Sequence, residues 1–136
     1  MAPSPQEQAE LWYEAMPFSR TLGIEPVVSG KDEVRARLAW AAALCTAGGV
    51  LHGGAIMGLA DSAAGTCAFL NLPDGAVGTA TIDSSTHFLR AVRGGWVEAV
   101  ARPLRAGRSV VVIETDVRDD AGELVARVVQ SQAVLR

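Results

Sequence analysis

Aromatic residues make up only 5% of this 136-residue chain and its arginines are scattered along it, so neither a base-stacking platform nor a nucleic-acid surface is expected. Its two cysteines, Cys45 and Cys67, lack metal-ligand spacing, and the expectation is two reduced thiols and no metal site. There is no Walker loop and no dinucleotide fingerprint, so phosphates would have to be met by exposed arginines. The first ten residues, MAPSPQEQAE, have neither a basic region nor an apolar core, which predicts no signal peptide and a cytoplasmic location. Leu38 to Ala60 carries no formal charge and is long enough for a bilayer. It is nevertheless rich in Ala and Gly and interrupted by a double glycine and a histidine, so a strand end, a turn and a buried helix explain it better than a membrane span.

What is present is hydrophobic: 49% of the residues, with a formal charge of −3, suit one compact domain over 1–136 that would gain burial by oligomerising. Ser4-Pro5 leads into a helical pattern from Gln6 to Ala15, closed by Pro17, which reads as a cap over about 5–16. Phe18 to Val28 reads as loop with apolar anchors. A first strand follows from about Glu33 to Ala43, with Val34, Ala36, Leu38 and Trp40 alternating against Glu33, Arg35 and Arg37. Four more strand-like runs, about Gly78–Leu89, Trp96–Arg105, Ser109–Arg118 and Glu123–Leu135, are separated by short glycine-bearing turns. Short turns favour antiparallel pairing, so the pattern predicts an α+β protein with an antiparallel sheet wrapped around one long central helix.

That helix lies in the stretch from Thr46 to Leu70, TAGGVLHGGAIMGLADSAAGTCAFL. A glycine-rich turn opens into a segment that is apolar or small on nearly every side except at Asp61, Ser62 and Thr66, which predicts a buried helix. An ionised carboxylate is costly to bury without partners, so Asp61 marks a site. Upstream, Gly53 and Gly54 leave the first helical N–H groups unscreened, an anion or oxyanion receptor. Asp61 lies about 12 Å further along the helix, so one copy cannot bring both groups onto one reacting carbonyl. Two antiparallel copies related by a two-fold axis can, giving two equivalent sites across an interface.

The segment HGGAIMGLAD, with Gly49 three residues before the histidine, resembles the hotdog-fold acyl-CoA thioesterases of the phenylacetate-pathway type, which carry a G-x-x-H-G-G turn and an acid at this spacing. The similarity extends to Leu22-Gly23-Ile24, to a strand carrying Thr81, Asp83 and Phe88, and to the turn at Asp119-Asp120-Ala121-Gly122. The resemblance implies the hotdog fold and a homo-oligomer, a dimer or a dimer of dimers (homotetramer), joined into one continuous sheet. It also implies hydrolysis of an acyl-CoA, with coenzyme A as part of the substrate and no separate cofactor. The backbone N–H of Gly53 or Gly54 would polarise the thioester carbonyl, and the neighbouring subunit's Asp61 would act as nucleophile or general base. The family has Asn six residues before the histidine where this chain has Thr46. That departure bears on substrate orientation or water positioning and leaves the acid and the turn untouched.

Other residues carry weaker signals. His52 suits holding the turn or orienting substrate better than acid-base work. Thr46, Thr81, Ser62 and Met57 are candidates for substrate binding, against ordinary roles in strand, turn or core; Trp40, Phe69 and Trp96 join Met57 as candidates for an acyl pocket. Arg90, Arg93 and Arg108 stand beside turns where they could meet coenzyme A phosphates, or simply solvate a sheet edge. Asp83, Ser85 and His87 tempt a Ser-His-Asp reading, which fails because residues two apart on a strand point the same way rather than converging. The rival functions are a hydratase or dehydratase of acyl thioesters using Asp61 with His52, and a non-catalytic acyl-CoA binding protein.

Overall fold

The computed structural model describes residues 2–136. Helix α1 (Pro5–Ala15) starts on a capping box: Glu7 N–H donates to Ser4 Oγ at 3.1 Å, and Ser4 N–H donates to Glu7 Oε1 at 3.2 Å. Pro17 does not open a loop. It is the first residue of a second helix, α2 (Pro17–Leu22), because a proline stops one helix but is well suited to the first position of the next. Gly23, at φ 76°, ends α2 in the left-handed conformation. Strand β1 (Glu25–Ser29) follows, so the stretch expected as loop is a helix and an edge strand. β1 shows no alternation because it is mostly exposed, and Pro26 is tolerated because the strand has only one neighbour.

The remaining elements are β2 (Val34–Ala39), α3 (Gly53–Leu70), β3 (Gly78–Phe88), β4 (Trp96–Ala106), β5 (Val110–Asp119) and β6 (Leu124–Leu135). All pairings are antiparallel in one six-stranded sheet of order β1-β2-β4-β5-β6-β3, which packs around α3. Val34, Ala36 and Leu38 of β2, Val97, Ala99 and Ala101 of β4, and Val111, Ile113 and Val117 of β5 are buried. They meet Ile56, Leu59, Ala60, Ala63, Ala64 and Cys67 of the helix in one core. The alanines on both sides keep the layers thin, and a Cβ on Gly58 would sit 2.8 Å from Leu22 Cδ1, so this glycine is what lets α2 lie against α3. By length and composition α3 could span a membrane, but half of it is buried inside the sheet, as befits a core helix.

The helix is not buried on every side. Met57, Asp61 and Phe69 recur every four or eight residues and form an exposed stripe on an otherwise enclosed cylinder. Burial, with a smaller push from Asp32, raises the Cys67 thiol to about 11, whereas Cys45 lies half-buried in the loop before α3. The outer face of the sheet is charged. Glu98 accepts from Arg35 at 3.3 Å and from Arg37 at 2.8 Å, and Asp116 accepts from Arg127 at 2.8 Å. The hydrogen bond from Arg35 holds the Glu33 carboxyl below its usual range, and that from Arg127 does the same for Asp116.

Candidate active site

The loop before α3 is pinned from both sides: Trp40 Nε1 donates to Gly49 O at 3.0 Å and Arg93 Nη1 donates to Gly48 O at 3.0 Å. Gly48 and Gly49 both take positive φ, 78° and 73°, which fits them to this turn. His52 is the helix N-cap, and its Nδ1 accepts from Gly54 N–H at 2.7 Å. The amide of Gly54 is therefore committed to the histidine, and Ala55 N–H to the His52 carbonyl at 2.9 Å. Gly53 keeps the free donor of the first turn. Of the two glycine amides read from the sequence, the structure leaves one available. With Nδ1 accepting, a neutral ring carries its proton on Nε2. A Cβ on Gly53 would lie 3.0 Å from Phe88 Cζ, so the ring of Phe88 covers the helix start.

Gly53 lines an apolar groove of about 410 Å³ with Thr46, Val50, Phe88, Arg90 and Val92. Asp61 lines a different groove of about 520 Å³, with Thr81, Thr79 and Gln132 at its polar end and Leu11, Trp12, Met16 and Phe69 at its apolar end. The two grooves share no residue. His52 and Gly54 border a third, smaller one beside Cys45. Arg90 stands by the Gly53 groove, 3.9 Å from Glu123, and Arg93 holds the neighbouring loop. Arg108 is not brought to them; it lies at the other end of the sheet, where its carbonyl accepts from Arg136. Ser62 is buried and donates to the Gly58 carbonyl at 2.9 Å, so its hydroxyl faces its own helix rather than a groove. Met57 is exposed on the helix stripe, and Trp96 lies under the Arg37 guanidinium at 4.1 Å on the outer face, away from both grooves.

The sequence reading named Thr81 but missed the glutamines that hold Asp61. Gln130 Nε2 donates to Asp61 Oδ1 at 2.9 Å, and Thr81 Oγ1 donates to the same oxygen at 3.3 Å. Gln132 Nε2 donates to Thr81 Oγ1 and to Gln130 Oε1, both at 2.8 Å, while Thr79 Oγ1 donates to Gln132 Oε1 at 3.0 Å. Both glutamines are 1% exposed. Their signal was present in the alternation of β6: Ala126 and Val128 face inward, and the next two inward positions are Gln130 and Gln132.

A bulge in β3 brings the hydroxyls to them. Thr81 pairs with Gln132 but Ser84 pairs with Gln130, so the register slips at Ile82 and the inward set changes from odd to even positions. Thr79 and Thr81 before the slip and Ser84 after it all reach the glutamines. Asp83, Ser85 and His87 share the opposite, outer face, away from Asp61. Among the described residues no group of three His, Cys, Asp or Glu side chains is placed to hold a metal ion.

A six-stranded antiparallel sheet wrapped around one long central helix is the hotdog fold. Residues 48–126 match the model of the thioesterase superfamily, and the chain belongs to that family. It is 34% identical over 101 residues to the proofreading thioesterase EntH of Cronobacter turicensis, covering 74% of this chain and 73% of that protein. The thioesterase HI1161 of Haemophilus influenzae superposes with TM-score 0.88 at 26% identity, over 100% of this chain and 93% of the other. The PaaI protein of the E. coli phenylacetic acid degradation operon, at 18% identity, shares the fold with TM-score 0.83 over 97% and 94%. The chain is thus a thioester hydrolase with the hotdog fold.

Proposed function

We propose that this protein is a cytoplasmic acyl-CoA thioesterase whose active site is completed between two copies. The observation that carries this reading is the separation of the groups: Gly53 with its free amide and Asp61 with its open oxygen line grooves that share no residue, eight positions apart on one rigid helix. A second copy whose α3 lies antiparallel beside the first places Asp61 of one opposite Gly53 of the other. The edge strand β3 supports such pairing. It is eleven residues long, leaves most of its length exposed, and shows Ile82 and Phe88 to solvent at 59% and 50%. A long strand edge left open is an aggregation hazard that pairing removes. Pairing two such dimers gives the tetramer.

In the shared site the Gly53 N–H donates to the thioester oxygen as negative charge develops on it, while His52 holds the turn through its bond from Gly54 N–H. Asp61 attacks the carbonyl carbon and the C–S bond breaks to release the thiolate, the acyl-enzyme anhydride then being hydrolysed. Alternatively, Asp61 takes a proton from a water that attacks. A thiolate is a good leaving group, so neither route needs a strong general acid. The acyl group lies in the groove between Asp61 and Phe69, and Arg90 and Arg93 meet the coenzyme A phosphates at the Gly53 end. Arg108 contributes only from another copy.

Thiol release from short, medium, long and aromatic acyl-CoAs, compared between wild type and Asp61→Asn, tests this. We expect Asp61→Asn to fold and to lose about 10²–10⁴-fold in kcat. Retained turnover would sink the reading. Loss of enoyl absorbance without free thiol would point to the hydratase, and binding without turnover to a carrier.

A further inference from the structure

We propose that Gln130 and Gln132 are positioning residues that select which carboxylate oxygen of Asp61 meets the substrate. This rests on the thioesterase reading above. Two neutral amides buried to 1% in the sheet's inner face are costly there unless every polar atom is used. They are used completely. Gln130 gives its two N–H groups to Asp61 and, at 3.3 Å, to Ser84; Gln132 gives its two to Thr81 and to Gln130. Among the described residues the buried side-chain oxygens and nitrogens without a partner belong to Thr86 and Thr115, not to either glutamine.

The direction of the chain follows from the carboxylate at its end. An ionised Asp61 only accepts, so Gln130 must turn its Nε2 toward it. Gln130 Oε1 is then left to accept, which fixes Gln132 with its Nε2 toward Gln130 and Thr81 and its Oε1 toward Thr79. Thr81, having accepted from Gln132, has its own proton left for Asp61. The row therefore brings two donors, Gln130 Nε2 and Thr81 Oγ1, onto one atom, Asp61 Oδ1. Among the described residues no side-chain partner meets Oδ2, which is the oxygen free to attack a carbonyl or accept a water proton. Without the row, an exposed aspartate on the outer stripe of a helix would rotate between staggered conformers and present either oxygen at varying angles.

The test replaces the donors without changing volume much: Gln130→Met, Gln132→Met and Thr81→Val, each alone and in an Asp61→Asn background, with kcat and KM measured on the best acyl-CoA of the panel. We expect Gln130→Met to lower kcat by about 10–100-fold, the range for losing a hydrogen bond to a charged group, with KM changed less than about threefold. Gln132→Met and Thr81→Val should each cost about 3–10-fold in kcat, since each leaves the Gln130 contact in place. In the Asp61→Asn background none should reduce the residual rate further. Wild-type kcat in Gln130→Met, a change confined to KM, or equal losses with and without Asp61 would overturn the proposal. If Gln130→Met does not fold, Thr81→Val decides by the same criteria. The side-chain amide resonance of Gln130 gives a readout independent of turnover: it should move on Asp61→Leu, and an unmoved signal refutes the contact. A fully active Asp61→Asn defeats the thioesterase mechanism instead, whatever the glutamines do.

Discussion

The sheet carries polar clusters on both faces, and they are built on opposite principles. Outside, Glu33, Arg35, Arg37, Glu98 and Arg102 form a lattice of full charges in contact with water, and Asp116 pairs with Arg127 beside it. Inside, Gln130, Gln132, Thr79 and Thr81 form a row of neutral groups that ends on a single carboxylate. Outer charges need no partner to be tolerated, because water solvates them, and exposed pairs add little stability. Inner amides are tolerated only while fully bonded. A residue that could be apolar at no structural cost, as Val128 is at the preceding inward position of β6, but is instead a bonded glutamine, is better evidence of a function than any surface ion pair.

The largest separation of the two faces should come from the groups nearest the chemistry. Gly53→Pro removes the free N–H at a position where proline suits the helix, and we expect a loss of about 10²–10³-fold in kcat, the scale of deleting one oxyanion donor. Because the added ring crowds Phe88, Gly53→Pro should be compared with Gly53→Ala, which crowds Phe88 similarly and keeps the N–H. If the two variants are equally impaired, the amide is not the donor. On the outer face, Arg37→Gln and Glu98→Gln should leave kcat and KM at wild-type values, as measured in the same thiol-release assay.

How far the inner face could be read from sequence depended on what marks it. The four strands from β3 to β6 begin and end within a residue or two of their expected limits, because glycine-bearing turns punctuate them. The start of α3 was fixed by Thr46-to-His52 glycines in the same way. The edge strand β1 carries no such mark: it is exposed, holds a proline, and shows no alternation. Pro17 is ambiguous by its chemistry, since one residue ends α1 and begins α2. At the site, Gly53 and Asp61 were visible as residue types out of place in their surroundings, whereas Thr81, at home in a strand, was named through the family resemblance. Gln130 and Gln132 were equally out of place, but only the register of β6 says which face they occupy. The slip at Ile82 that turns both Thr81 and Ser84 toward them is a property of pairing between strands, which no single strand's pattern contains.

The two thiols offer a smaller contrast of the same kind. Cys67 lies in the core between α3 and the sheet with its thiol pushed up to about 11, while Cys45 lies half-buried in the loop beside His52. At pH 8 an aromatic disulfide reagent should titrate Cys45 in the native protein and Cys67 only after denaturation, since the thiolate is the reacting form. Rapid native reaction at Cys67, located by peptide mapping, would mean that the helix and sheet part more readily than this packing allows.

The smallest effect belongs to the outer carboxylates, and its dependence on pH gives it a definite sign. Arg127 holds Asp116 below the usual carboxylate range, and Arg35 does the same for Glu33. A depressed folded value means that the folded state favours the ionised form more than the unfolded chain does. The stabilisation is therefore present above the unfolded value, about 4 for these groups, and is lost as pH falls through the lower folded value. Asp116→Asn should thus unfold at slightly lower urea than wild type at pH 7, and the difference should vanish by about pH 2, where both chains carry an uncharged side chain at this position. Because Arg127 is 47% exposed, 1 M salt should shrink the pH 7 difference as well. A gap that persists in acid and in salt would show Asp116 acting through packing rather than charge, and the outer lattice would then resemble the inner row more than its exposure implies.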